Sequence, residues 1–169
     1  MGKINILSFA VANLIAAGEV VDRPASVVKE LMENSIDAGA DRITVEIQNG
    51  GVTFIRVSDN GSGIEKDDLP VAVRRHATSK IKEAEDLNGI MSLGFRGEAL
   101  AAIAAVSDLR IISRVRREAI GAAIEVSGGD ILGVSERGCS EGTTVIVENL
   151  FCNVPARRKF LKRDITETA

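Results

Sequence analysis

The sequence predicts an α+β fold, a two-layer sandwich in which helices cover one face of a mixed, mostly antiparallel sheet. Alternating apolar residues predict a strand over 42–48, and turn residues at 49–51 join it to a second strand over 52–58. Such a hairpin makes the two strands antiparallel. Further β-rich segments follow late in the chain, at 109–116, 119–126, 131–135 and 142–148. This order does not fit the regular strand–helix alternation of a doubly wound parallel sheet.

Apolar stripes with helical spacing predict the helices. We expect a helix over 9–17 and a second over 26–37, with Ser26 as its N-cap. Later helices are predicted over 65–75, 97–105 and 156–163. The stretch 76–96 has little periodicity and is predicted as a long loop with a short helix at 84–88. Loops of this length in compact domains are commonly functional.

Length and composition indicate one domain over residues 1–169. Hydrophobic residues make up 45% of the chain, which is sufficient for a core, and no apolar run is long enough to span a bilayer. The N-terminal residues lack the basic start and long apolar stretch of a signal peptide. We therefore expect an intracellular protein with no membrane partner.

The charge balance argues against DNA binding as the main role of the domain. The net charge is −3, so a DNA contact would require a local basic patch. The candidate patch consists of Arg157, Arg158, Lys159, Lys162 and Arg163. A solvated helix end explains this run equally well. Aromatic residues make up 3% of the chain, which leaves few surfaces for stacking on single-stranded nucleic acid.

Cysteine and histidine usage gives little support to metal or triad chemistry. Cys139 and Cys152 have neither metal-ligand spacing nor a disulfide framework, so reduced thiols are expected. His76 is the single histidine of the sequence, which leaves zinc chemistry and a Ser-His-Asp triad poorly supported.

The predicted helix over 26–37 carries a polar stripe. Glu30, Asn34 and Asp37 stand at i, i+4 and i+7, which places them on one face. Asn34 is a poor helix former and lies near the edge of the apolar stripe, which indicates a partly buried site rather than an ordinary exposed face. An amide oxygen suits Mg²⁺, and a carboxylate can order or deprotonate a water molecule.

Two glycine-containing turns add candidate ligand contacts. In the string 59–64, Asp59 ends a strand, where its carboxylate could accept a hydrogen bond from an exocyclic amine such as that of adenine. The glycines allow the backbone to approach a ligand closely. Thr143 follows Gly142 at the start of a late strand and could reach the same ligand. An ordinary turn explains the first string, and plain strand chemistry explains the second better than a ligand contact does.

A third glycine-rich string, 94–100, stands immediately before a predicted helix. Free backbone N–H groups at a helix start favour phosphate, and the string 77–80 adds hydroxyls and a cation. A surface loop that caps a helix is the alternative. Neither a P-loop nor a Rossmann fingerprint occurs in the sequence. Together, the polar stripe, the aspartate, the glycine-rich strings and the threonine are the groups that an ATP site requires.

Several motifs carry a resemblance to a known family. The patterns ExxxNxxDA at 30–38 and DxGxG at 59–63, with a glycine-rich lid and a late Gly-Thr, resemble the GHKL ATPases, which include gyrase B, the ninety-kilodalton heat-shock chaperone, histidine kinases and MutL. Longer strings resemble the MutL family of DNA mismatch repair proteins, at 15–24, 29–40, 76–81, 94–100 and 151–157. The matches extend from about residue 5 to 163.

The resemblance implies a role for each matching residue. Glu30 is implied as the general base and Asn34 as the Mg²⁺ ligand, while Asp59 is implied to bind adenine. The implied nucleotide-binding set, lid included, is Asn34, Asp37, Ala38, Asp59, Gly61, Gly63, Ile64, Thr78, Ser79, Lys80, Gly94, Phe95, Arg96, Gly97, Glu98, Ala99, Leu100 and Thr143.

The resemblance also implies an activity and its partners. The expected cofactors are ATP and Mg²⁺, and the expected reaction is slow hydrolysis of ATP to ADP and phosphate. ATP is expected to close the lid and to bring together the N-terminal domains of two copies of the chain. A MutS-type mismatch recognition protein is an implied partner, and DNA is contacted weakly or through the rest of the protein. The implied location is the bacterial cytoplasm, at the nucleoid, or the nucleus in a eukaryote.

The family pattern implies further domains beyond this sequence. A transducer domain would follow and supply a phosphate-contacting lysine, and a C-terminal domain would dimerise, so residues 1–169 alone are expected to be weakly active or inactive. Three alternatives remain at this point. They are a nucleotide-gated interaction module without turnover, another GHKL branch such as a topoisomerase or kinase, and a structural DNA-binding domain.

Overall fold

A six-stranded sheet organises the part of the chain that the structure describes. The computed structural model describes residues 4–8, 11–12, 14–15, 21–74, 99–159, 161 and 164–169. The strands are β1 Ile43–Gln48, β2 Phe54–Asp59, β3 Asp108–Arg114, β4 Gly121–Ser127, β5 Asp130–Arg137 and β6 Gly142–Glu148. Their spatial order is β1-β2-β6-β3-β4-β5.

The pairings between neighbouring strands in the described part of the chain are all antiparallel. The prediction of a mixed sheet is corrected in this respect, while the α+β sandwich is confirmed. Short turns join β1 to β2, β3 to β4 and β4 to β5, which reverses the chain each time. The last strand, β6, lies between β2 and β3 and is antiparallel to both.

Helices and short 3₁₀ turns precede, connect and follow the strands of this sheet. The helices are α1 Pro24–Asp37, α2 Leu69–Ala72, α3 Ala99–Ala105, α4 Pro155–Lys159 and α5 Asp164–Thr168. The 3₁₀ turns are Asn49–Gly51 and Lys66–Asp68. Residues 11–12 and 14–15 are also helical, in agreement with the helix predicted over 9–17. None of the helices within the described ranges is long and apolar enough to cross a bilayer.

The start of α1 differs from the prediction. The helix begins at Pro24, with Arg23 at the N-cap, so the prediction of Ser26 as the cap is wrong. Proline is favoured at the first helical position because its missing N–H would have no partner there. The hydroxyl of Ser26 instead donates to the carboxylate of Asp22. At the other end, Gly39 has φ of 75°, the left-handed conformation that commonly terminates a helix.

Other element boundaries shift by a few residues. β2 begins at Phe54 rather than 52 because the turn before it is extended by a 3₁₀ segment. The helix predicted over 65–75 is reduced to α2, with a 3₁₀ turn in front of it. The tail predicted as one helix over 156–163 contains α4, and α5 follows it. The predicted loop over 76–96, its short helix at 84–88 and residues 97–98 lie outside the described residues.

The core lies between one face of the sheet and the helices. On the central strands, the inward positions form two apolar rows in register, Ile55–Val147–Leu109 and Val57–Val145–Ile111. These side chains are 7% exposed or less. Buried side chains of α1 and α3, including Val27, Leu31 and Ile103, belong to the same core cluster.

The opposite face of the sheet is mixed in character and carries cross-strand ion pairs. Arg56 stands directly opposite Glu46, and their side chains approach to 2.6 Å. Arg110 stands opposite Glu125 at 3.1 Å. Pairs at such directly opposed positions add modestly to sheet stability. One face therefore builds the core, as the alternation in the sequence predicts.

Candidate functional site

A third inward row follows the two apolar rows, and it is polar. Asp59 at the end of β2 pairs with Thr143 at the start of β6, and Thr143 pairs with Ser113 on β3. These three residues stand two positions beyond Val57, Val145 and Ile111, and a strand returns to the same face every second residue. We call Asp59, Thr143 and Ser113 the polar row.

The carboxylate of Asp59 is held by hydrogen-bond donors on both oxygens. Its Oδ1 accepts from the backbone N–H of Gly61 at 2.9 Å and from that of Thr143 at 3.3 Å. Its Oδ2 accepts from the hydroxyl of Ser35 at 2.7 Å. An ionised carboxylate is purely an acceptor with about four lone-pair positions, so acceptor capacity remains for a ligand that donates.

Ser35 is a contact that the site prediction missed. It lies on α1, is 3% exposed, and also approaches the carbonyl oxygen of Leu31 at 3.1 Å. A signal was present in the sequence, because Ser35 occupies a position of the apolar stripe of α1, where a hydroxyl requires a buried partner. Through Ser35, α1 fixes the orientation of the Asp59 side chain.

Ser113 was also missed, and it is 1% exposed. Its Oγ lies 2.7 Å from the amide nitrogen of Ile64, 3.0 Å from the carbonyl oxygen of Gly142 and 2.8 Å from Oγ1 of Thr143. The sequence signal is the alternation of β3, in which the third inward position changes from apolar to polar. Ser113 therefore connects the end of the 59–64 loop to the start of β6.

Glycines permit the close approach of backbone segments around the polar row. Gly63 has φ of 76°, and a Cβ there would lie 2.2 Å from the carbonyl oxygen of Arg114. Gly142 has φ of 115°, and a Cβ there would lie 2.0 Å from the carbonyl oxygen of Asp59. A side chain at either position would collide with rigid backbone. The two glycines thus allow the 59–64 loop to lie directly against the ends of β3 and β6.

Ala38 at the end of α1 lies against the same loop. Its carbonyl oxygen accepts from the backbone N–H of Ser62 at 2.9 Å. A Cβ added at Gly61 would lie 2.8 Å from the Cβ of Ala38. The predicted residues Ala38, Asp59, Gly61, Gly63, Ile64 and Thr143 are therefore brought together around the polar row.

The predicted polar stripe of Glu30, Asn34 and Asp37 lies on α1, and all three residues are partly buried. The side chain of Glu30 is 22% exposed, and its carboxylate lies 3.8 Å from Nζ of Lys29. That lysine is nearer to Glu33, at 3.0 Å. Since Ser35 on the same helix bonds to Asp59, one rigid element carries both the stripe and a support of the polar row.

The predicted lid is described only at its end. Ala99 and Leu100 form the first turn of α3, and Leu100 packs against the core. The other predicted lid residues lie outside the described residues, namely Thr78, Ser79, Lys80, Gly94, Phe95, Arg96, Gly97 and Glu98.

The predicted magnesium ligand, Asn34, lies on α1 between Glu30 and Asp37. The described residues contain no group of three or more His, Cys, Asp or Glu side chains that could hold a metal. Magnesium commonly keeps water ligands and binds through few protein oxygens plus substrate phosphates. The amide of Asn34 fits that arrangement as a single protein ligand.

A separate cleft of about 240 Å³ adjoins the polar row. Ile64 and Ser113 line it together with charged side chains that include Lys66 of the second 3₁₀ turn and Glu136 of β5. Lys66 lies 3.7 Å from Glu136, so the charges on its walls are partly matched. Among the described residues that line this cleft, Ile64 is the one that the site prediction includes.

The comparisons with known proteins agree with this architecture. Residues 22–130 match the family described as histidine kinase-, DNA gyrase B-, and HSP90-like ATPase. The chain belongs to this ATPase family. The predicted GHKL fold and ATPase domain are confirmed by this match.

Curated relatives indicate the branch. The chain is 57% identical over 167 residues to the DNA mismatch repair protein MutL of Acidobacterium capsulatum, covering 99% of this chain and 25% of that protein. It is 55% identical over 169 residues to MutL of Desulforamulus reducens, covering 100% of this chain and 26% of that protein. The chain thus spans about a quarter of the length of these relatives. The predicted resemblance to MutL is confirmed.

Solved structures give the same result. The Aquifex aeolicus MutL ATPase domain complexed with ADP matches with a TM-score of 0.66 and 40% identity, covering 88% of this chain and 51% of that one. The N-terminal domain of a DNA repair protein matches with a TM-score of 0.72 and 33% identity, covering 88% of this chain and 42% of that one. The ATPase neighbour with ADP supports nucleotide binding in this fold.

Proposed function

We propose that this MutL-type domain binds Mg·ATP between α1 and the polar row and hydrolyses it slowly, as the nucleotide switch of a mismatch repair protein. The observation that carries the proposal is the Asp59 carboxylate, which three protein donors hold at the end of the sheet. The neighbouring structure that contains ADP supports a nucleotide as the ligand.

Base recognition follows from the acceptor character of Asp59. Its remaining lone pair suits the 6-amino group of adenine, which donates. The corresponding atom of guanine is a carbonyl oxygen, which would place one acceptor against another. A buried acceptor without a donor costs about 1–3 kcal/mol, so the site favours adenine.

The chemistry is assigned to α1. Glu30 positions and deprotonates the attacking water, which requires a carboxylate within reach of the phosphates. Asn34 would hold Mg²⁺ through its amide oxygen, and the bound ion would offset phosphate charge. The partial burial of both side chains supports these roles, because a water-poor site strengthens electrostatic interactions. The water attacks the γ-phosphate directly, and no covalent intermediate is required.

The proposal extends to association of two copies of the chain and to its role in mismatch repair. ATP would order the 76–96 segment and favour association of two copies, and the paired domains would act with a MutS-type protein and DNA. The names of the curated relatives support the repair role. A lysine from a following domain stays a prediction, as do the dimer and the intracellular location.

Calorimetric titration with a non-hydrolysable ATP analogue and Mg²⁺ tests the base contact. Asp59→Asn should weaken binding by about 100-fold, because a hydrogen bond to a charged group contributes about 1.5–3 kcal/mol. Asp130→Asn removes an exposed carboxylate at the start of β5 and serves as the matched control, which should bind like the parent. Parental affinity in Asp59→Asn would refute the base contact. Failure of the parent chain to bind would refute a site contained in this domain.

Single-turnover phosphate release tests the catalytic assignment. Glu30→Ala should keep nucleotide affinity within about twofold and lose turnover by about 100-fold or more, since general base catalysis contributes at least that much. Glu33→Ala removes the neighbouring carboxylate on α1 and is the control. Equal loss in both variants, or persistent turnover in Glu30→Ala, contradicts the role of Glu30. If the parent binds ATP without turnover, the comparison is repeated on a longer chain that includes the following domain, and absence of turnover there as well indicates the nucleotide-gated interaction module.

A further inference from the structure

We propose that Ser113 is a positioning residue that fixes the direction of the Thr143 hydroxyl, so that the polar row presents only hydrogen-bond acceptors to the base. This inference rests on the proposed nucleotide site and adds a determinant of base selectivity to it. Ser113 itself is 1% exposed, whereas Thr143 is partly exposed, so a ligand meets Thr143 and not Ser113.

The direction of the Thr143 hydroxyl follows from counting protons around Ser113. A hydroxyl has one proton to donate and two lone pairs to accept with. The amide of Ile64, 2.7 Å away, can only donate, so it uses one lone pair of Ser113. The carbonyl oxygen of Gly142, 3.0 Å away, can only accept, so it takes the proton of Ser113.

The third neighbour must then donate. Oγ1 of Thr143 lies 2.8 Å from Oγ of Ser113, and either atom could be the donor on distance alone. Once Ser113 has given its proton to Gly142, Thr143 donates to the remaining lone pair. This is the arrangement that satisfies every one of these groups, and buried polar groups are rarely left without a partner.

The consequence for a ligand is that the hydroxyl proton of Thr143 is already donated to Ser113 and is not available to the base. Its free lone pairs lie next to Asp59, which is also an acceptor, so the row offers acceptors alone. A purine with an amino group at its 6-position can donate to the acceptors of the polar row, either directly or through a water molecule. A purine with a carbonyl oxygen there faces two acceptors instead of one. Ser113 thereby increases the preference for adenine without contacting the base.

A purely structural role of Ser113 and a positioning role predict different effects when its hydroxyl is removed. If the hydroxyl only ties the 59–64 loop to β6, its loss weakens ATP and GTP binding by the same factor. If it sets the direction of the Thr143 proton, its loss frees that proton to face the ligand. The ratio of the two affinities then changes, because Thr143 can donate to the carbonyl oxygen of guanine.

The test compares dissociation constants of non-hydrolysable ATP and GTP analogues with Mg²⁺, measured on the whole chain. Ser113→Ala should reduce the preference for ATP by about fivefold, the value of one hydrogen bond. Ser113→Thr keeps the hydroxyl and should restore the parental ratio. Ser107→Ala is the matched control, because Ser107 is 0% exposed and bonds to the carbonyl oxygen of Ile103 at 2.6 Å. It should leave the ratio unchanged.

A second variant keeps the proposal testable if Ser113→Ala does not fold. Thr143→Val keeps the side-chain shape and removes the hydroxyl, and it should lower the preference for ATP by a similar factor. An unchanged ratio in Thr143→Val, or in a folded Ser113→Ala, overturns the inference while the nucleotide site stands. A parent that binds neither analogue, or binds both equally, contradicts the proposed function itself.

Discussion

Within the buried face of the central strands, two regions have opposite character. The two apolar rows belong to the same core cluster as buried side chains of α1 and α3, while the polar row lies two residues further along the same strands. The difference is possible because the groups of the polar row satisfy one another and the neighbouring amides, which offsets the cost of burying them. We therefore predict that the apolar rows determine the stability of the fold and that the polar row determines ligand binding.

The apolar rows should determine stability. Ile111→Ala should lower the free energy of unfolding by about 2–5 kcal/mol, because Ile111 is 0% exposed and its truncation leaves a cavity. Urea denaturation measures the loss. Nucleotide affinity, corrected for the folded fraction, should be unchanged. A folded variant with much weaker binding would show that the two regions are not separable.

The loop that borders the polar row should tolerate no side chain at Gly63. Gly63→Ala should cost about 2–4 kcal/mol of stability, from the left-handed backbone and from the collision with Arg114. Gly39→Ala is a matched control, because Gly39 has φ of 75° and nothing within 4 Å of the added Cβ. It should cost about 1–2 kcal/mol. Equal losses in thermal or urea unfolding would mean that the close approach to β3 contributes nothing.

The polar row should determine binding. Ser35→Ala removes the donor to Oδ2 of Asp59 and should weaken binding of the ATP analogue by about tenfold, which corresponds to about 1.4 kcal/mol. Stability should change by about 1 kcal/mol or less, one hydrogen bond. Ser62→Ala, at an exposed hydroxyl of the same loop, is the control for calorimetry. A large stability loss with parental affinity would reverse the assignment of the two regions.

The carboxylate of Asp108 lies at the end of β3 away from the polar row. Its contribution to the stability of the fold should depend on pH and not on nucleotide. Hydrogen bonds from Ser127, and then from Asn149, lower the pKa of Asp108 below its usual 3.8, against a smaller opposing effect of burial. A lowered pKa in the folded state stabilises the fold above the unfolded pKa, and this contribution is lost as the pH falls through the folded value.

Unfolding free energies measured from about pH 5 down to about pH 2 therefore test the contribution of Asp108 to stability. The parent should lose about 1 kcal/mol or less more than Asp108→Asn over this range. Asp130→Asn is the control for loss of a carboxylate in general, and it should follow the parent. Identical acid profiles for the parent and Asp108→Asn would remove Asp108 from the account of stability.

The strands and the first hairpin could be predicted from the sequence because alternation and turn residues are local signals. The polar row could be predicted only in part. Asp59 and Thr143 stand at strand ends near glycines, whereas Ser35 and Ser113 are polar positions within apolar stripes, which indicates a buried partner without identifying it. Their partners come from pairing between β2, β6 and β3, and register between distant strands leaves no local pattern.

The start of α1 and the direction of the pairings have similar explanations. Ser26 is a common N-cap residue, but Pro24 satisfies the first helical position earlier, and local propensity could not decide between them. The antiparallel placement of β6 depends on which strands it separates. The neighbours of β6 are determined by strand pairing across the whole sheet, and residues 142–148 alone do not indicate them.

The position of β6 has a consequence for how the chain is made. It is the last of the described strands in sequence, yet it lies in the middle of the sheet, between the β1–β2 hairpin and the β3–β5 meander. During synthesis both halves emerge before the strand that joins them, and each exposes an open edge that other chains can pair with. Asp59 and Thr143, 84 residues apart, meet only when β6 inserts. A ligand of the polar row would therefore bind only the completed sheet and would shift the folding equilibrium toward it by mass action.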